Sequence, residues 1–139
     1  MRFAAAALLL GLAVVPASAE PKAVPVDCAK ASSTPEIAFC AQEDFERADK
    51  LLNEAYKGML AKVGSASADV PGLAVQQKAW REALVESQRR WIAFRDADCA
   101  AVGAGWMGGT GMGAAVSNCL ADATRARTKV LQSRTREGG

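Results

Sequence analysis

The chain is predicted to be all-α: a small antiparallel helical hairpin with a third helix packed on it, stapled by two disulfides. Three observations carry that prediction. Apolar residues recur at three- and four-residue steps through three segments, and nowhere does the alternation of a half-buried strand appear. Stretches rich in Gly, Ser and Pro separate the segments. Four cysteines stand in a chain of 139 residues whose start has the form of an export signal.

Arg2 supplies a positive start, Ala4 to Val15 form an apolar run too short for a comfortable membrane span, and Ala17-Ser18-Ala19 matches a small-residue cleavage pattern. Residues 1–19 therefore read as a cleaved signal peptide, with a mature chain from Glu20. Cys28 lies too far past the apolar run to be a lipid-anchored first residue, so the expected product is soluble, periplasmic or secreted, without an integral membrane span. Residues 20–33 are Pro- and Ala-rich and aperiodic, an extended segment that only Cys28 can tie down.

The helical domain is expected over 34–135, followed by a tail at 136–139. A first helix is predicted over about 34–63. "STPE" places a capping Ser33 or Thr34, Pro35 in the first turn and Glu36 for a capping box. Its apolar stripe runs Ile37, Cys40 or Ala41, Phe45, Ala48, Leu52, Ala55 or Tyr56, and Met59 or Leu60. "GSASADVPG" breaks the pattern. A second helix, about 72–102, resumes it through Leu73, Ala79 or Trp80, Leu84, Trp91, Phe94 and Cys99. After "GAGWMGGTGMG", a third helix over about 114–135 shows Ala115, Val116, Cys119, Leu120, Ala123, Ala126 or Arg127, Val130 and Leu131.

Four cysteines allow three connectivities. The local pairing, Cys28 with Cys40 and Cys99 with Cys119, closes a short loop across a helix end in each case and is the one expected. A zinc site is disfavoured: the chain has no histidine and no close C-x-x-C pair.

The formal net charge is +2, and loss of Arg2 with the signal removes one unit, which is no footprint for nucleic acid. The charges are nevertheless segregated. Glu36, Glu43, Asp44, Glu46, Asp49 and Glu54 make the first helix acidic, whereas Arg125, Arg127, Lys129, Arg134 and Arg136 make the last one basic.

Gly103, Gly105 and Gly108 spell G-x-G-x-x-G, but a dinucleotide fingerprint needs a buried strand before it and an acidic residue on a second strand after it. Here helices flank it, so no nucleotide cofactor is expected. Without histidine there is no Ser-His or Cys-His pair, and paired cysteines supply no thiolate. Asp96 and Asp98 point in different directions on one helix. The chain is thus read as a non-enzyme with no catalytic residues, no cofactor and no metal. Leu84, Gln88, Trp91, Arg95 and Cys99 share one face of the second helix. Trp91 is read as core and Arg95 as a half-buried cation paired across to the first helix, with Asp49 as candidate partner.

The cysteines around "TPEIAFC", then "ADKLLNEAY" with Asp49, Leu52, Asn53 and Tyr56, then "LVESQRRWIAFRDADC" with Leu84, Gln88, Trp91, Arg95 and Cys99, and finally Cys119, resemble the LprI-type lysozyme-inhibitor domain of exported bacterial proteins. The likeness spans about residues 28–132. It implies a small disulfide-linked helical domain of the bacterial envelope, and a protein partner, with a C-type lysozyme as the candidate. The alternative is a structural or adaptor module that binds another envelope protein. Because such lysozymes are basic, Glu43, Asp44 and Glu46 are candidate contact residues. Trp106 and Met107, on a loop tethered by Cys99 and Cys119, either fold back as a lid on the helix ends or project as a binding anchor.

Overall fold

The computed structural model describes residues 25–65 and 72–137. The proposed signal peptide, residues 20–24 of the extended segment, most of the first linker and the last two residues lie outside them. Three helices make up the domain: α1 (Thr34–Ser65), α2 (Ala74–Gly105) and α3 (Met112–Glu137). At 32 residues each, α1 and α2 are about 48 Å long. No described helix is long and apolar enough to cross a membrane.

α1 starts where the capping signal stands. The Ser33 hydroxyl receives the Glu36 backbone N–H at 3.4 Å, and the Glu36 carboxylate accepts the Ser33 N–H at 3.0 Å, a reciprocal capping box. The far ends of α1 and α3 are closed by neighbours. Gln77 Nε2 donates to the carbonyls of Val63 and Gly64, and Lys62 Nζ to those of Arg134 and Thr135, so carbonyls without intrahelical partners are satisfied.

α2 runs antiparallel to both other helices, and α1 and α3 run side by side in the same direction. The tightest packing joins α1 to α3 rather than the sequence neighbours α1 and α2. Side-chain size explains it. The α1–α3 seam is built from Ala41 and Ala48 on one side and Ala114, Ser117, Ala121, Thr124 and Thr128 on the other, all buried, which lets the backbones approach closely. α2 brings Gln88, Trp91 and Arg95 to its buried face and is held farther off.

This corrects the stripe expected on α3. Leu131 is fully buried as the stripe has it, but the rest of the buried face is the Ala/Ser/Thr one, whereas Ala115, Val116, Cys119, Leu120, Ala123 and Arg127 are half-buried and Ala126 and Val130 are exposed. Thr and Ser are usually surface residues, so hydropathy periodicity gives no core signal at these positions. Thr128 satisfies its own hydroxyl on the Thr124 carbonyl at 2.9 Å. Phe94 of the α2 stripe is likewise not core but 66% exposed.

Large apolar side chains gather at one end only: Leu52, Met59, Val63, Leu84 and Leu131, with Tyr56, Leu60 and Trp91 against them. Both disulfides, Cys28–Cys40 and Cys99–Cys119, lie at the other end, as the local pairing required. The disulfide end is thus held by small-residue contacts and covalent links, which fits a domain too small for one core to span it.

Candidate functional site

Arg95 organises the middle of the bundle. It is 7% exposed, with Nε 2.8 Å from Asp96 Oδ1, Nη1 3.6 Å from Asp49 Oδ1 on α1 and 3.1 Å from Thr124 Oγ1 on α3. Its guanidinium also stands 5.3 Å from the ring centres of Phe45 and Trp91. One cation therefore touches all three helices. Asp49 is steadied in turn by Asn53 Nδ2 at 3.0 Å. Of the residues that carry the family likeness, Asp49, Asn53, Trp91 and Arg95 meet here, while Leu52, Leu84 and Tyr56 belong to the apolar end. These are framework positions, and Gln88 joins them by accepting from Arg127 Nε at 3.1 Å.

The glycine-rich stretch is shorter as a loop than its composition suggests. α2 continues to Gly105 and α3 begins at Met112, so only residues 106–111 connect them. Gly103 is helical and buried, and α3 comes so close that a Cβ there would lie 2.8 Å from Val116 Cγ2. Trp106 is 47% exposed and lays its ring on the backbone of Gly111, where a Cβ would meet Cζ3 at 2.5 Å. Met107 takes a left-handed φ of 49° and is 94% exposed. Within this tip Trp106 is folded down on its own loop and Met107 projects. Ile37, Phe39, Val102 and Met112 are also exposed at the disulfide end.

The acidic side chains of α1 differ in their freedom. Asp44 is bound by Arg125 of α3 at 2.6 Å and Arg47 at 3.3 Å, and the Arg125 hydrogen bond above all holds its carboxyl below the ordinary carboxylate range. It is a strut between helices. Glu46 is exposed and accepts only from Gln42, and Glu43, half-buried, takes part in no ion pair among the described residues.

Asp98, Cys99 and Cys119 come within 4.8 Å of one another, a cluster by distance. The two sulfurs are bonded to each other, so neither is a thiolate donor for a metal or a nucleophile. Asp96 is committed to Arg95 at 2.8 Å.

Arg125 and Arg127 count in the sequence only as members of a basic face, and Thr124 carries no signal there.

Residues 27–131 match the profile of the family described as "Lysozyme inhibitor LprI". A protein of Rhizobium meliloti (strain 1021), described as uncharacterized, is 36% identical over 133 residues, which cover 95% of this chain and 94% of that protein. No solved structure matches.

Proposed function

The chain belongs to the Lysozyme inhibitor LprI family, and from that premise we propose that it is an exported protein that binds a peptidoglycan-degrading lysozyme and blocks it through the disulfide-tethered tip. The observation that carries the reading is the tip itself. A projecting Met107 on a six-residue loop, whose flanking helices are linked by Cys99–Cys119 and on which Trp106 packs against Gly111, is an apolar feature of the kind that fills a cleft. Glu43 and Glu46 supply negative charge for a basic partner, and Asp44 contributes less because two arginines already neutralise it.

The test is inhibition of peptidoglycan hydrolysis by a C-type lysozyme at near-stoichiometric protein, with Met107→Glu and Trp106→Ala compared at matched thermal stability. Inhibition that Met107→Glu abolishes supports the tip as contact. No inhibition at high micromolar excess, with binding also absent by calorimetry, refutes the proposal. One observation favours a second reading as an adaptor module: α2 exposes Phe94 and Val85 well away from the tip. Specific capture of an envelope protein, lost in Phe94→Lys, together with failure of the lysozyme assay, would select it.

A further inference from the structure

Most arginines that touch a neighbouring side chain in this bundle have a carboxylate: Arg95 has Asp49 and Asp96, Arg125 has Asp44 and Asp122, Arg89 and Arg90 share Glu86, and Arg47 has Asp44. Arg127, half-buried between α3 and α2, has none among the described residues. Neutral groups alone hold it. Its Nε donates to Gln88 Oε1 and its Nη2 to Ser87 Oγ, both at 3.1 Å, and Trp91 lies 5.6 Å beneath its guanidinium. Burial first, and then the charge of Arg134, lowers its pKa from the ordinary guanidinium value. A guanidinium nevertheless stays protonated, so the site is a fixed cation without a counter-charge.

Beside it opens a cleft of about 200 Å³, lined by Met59, Trp80, Ala83, Leu84, Ser87 and Arg134. Its wall is apolar and its rim is cationic. Ser87 accepts from Arg127, which leaves its own hydroxyl hydrogen to donate, and Nη1 of Arg127 has no acceptor among the described residues. Two N–H or O–H donors and a second arginine thus stand beside an aromatic and aliphatic wall.

We propose that Ser87 and Arg134 on this cleft, with Arg127 joined to it through Ser87, form a binding site for a small carboxylate with an apolar body, of the class of an N-acylated amino acid or peptide C-terminus. The carboxylate takes the free Nη1 of Arg127 and the Ser87 hydroxyl, and the apolar part lies along Trp80, Leu84 and Met59. The volume suits roughly one acylated residue. This site is separate from the tip, and its test does not depend on lysozyme.

The experiment is an NMR titration of the folded, oxidised protein with N-acetyl-alanine, using N-acetyl-alaninamide as the uncharged counterpart. Saturable shifts of the Trp80 indole and Arg127 Nε resonances are expected with the acid and not with the amide. Arg127→Gln weakens acid binding by at least about tenfold, and Ser87→Ala, at an exposed position that leaves packing intact, weakens it less. Equal shifts with acid and amide, no saturable shift with the acid, or unaltered acid binding in Ser87→Ala and a folded Arg127→Gln would each overturn the proposal. If Arg127→Gln does not fold, the acid-against-amide comparison and Ser87→Ala decide alone.

Discussion

Replacing Arg95 tests whether one cation holds three helices together. In Arg95→Ala the Thr124 hydroxyl, fully buried, loses its Arg95 partner, at a cost of about 1–3 kcal/mol. Two cation–π contacts, to Phe45 and Trp91, disappear at about 0.5–1 kcal/mol each. The released carboxylates add little, because Asp49 and Asp96 are half-exposed and recover water. The loss should total about 3–4 kcal/mol, and for a domain of this size that lowers Tm by about 12–16 °C. Arg95→Lys keeps the charge but not the planar fork, so about half the loss is expected. Thermal melts followed by circular dichroism under oxidising conditions measure both. Asp98→Asn, an exposed neighbour on the same helix, is the control and should stay within about 0.5 kcal/mol. A loss below about 1 kcal/mol for Arg95→Ala, or an Arg95→Lys protein as stable as the parent, would refute the hub.

Removing Cys99–Cys119 as the double alanine variant opens a link of sequence separation 20 and should cost about 3 kcal/mol in denaturant unfolding, by the chain-entropy account. Because the large apolar residues lie at the opposite end, hydrogen exchange should rise at the tip before it rises around Leu52 and Leu131. Gly111→Ala drives a methyl group into the Trp106 ring, so the ring must lift; a shift of the Trp106 indole resonance with little change in Tm is expected, and an unmoved ring contradicts the stacking. Acid should loosen the helix surface. Glu36 is held below its ordinary 4.5 first by the Ser33 backbone N–H and then by its hydroxyl, and Glu86 is lowered to about 2, first by Arg89 and then by Arg90. Both carboxyls are depressed in the folded state, so their contribution is complete above the ordinary 4.5 and fades as pH falls below it, for Glu86 towards about 2. Glu36→Gln should remove its share of that acid sensitivity in melts across this window.

Much of the architecture was legible in the sequence because its signals are local. Three- and four-residue spacing, the Ser33–Glu36 box and the "GSASADVPG" break act within one or two turns, and they placed three helices. The disulfide pairs followed from loop closure between nearby cysteines. The shared face of Leu84, Gln88, Trp91, Arg95 and Cys99 was readable from periodicity, and a buried arginine demands an acidic partner wherever the chain can bring one. Which helices meet closely was decided only in three dimensions. Backbone approach depends on small side chains on two surfaces at once, so Ala48 and Ala121 drew α1 to α3 rather than to its neighbour α2, and placed Thr124 and Thr128 inside. The same assembly laid Trp106 on Gly111 and occupied Asp44 with Arg125. It also stationed Arg127 beside an apolar cleft with only neutral groups to hold it, since a charge's partners are set by what lies across the interface and not by what precedes it in the chain.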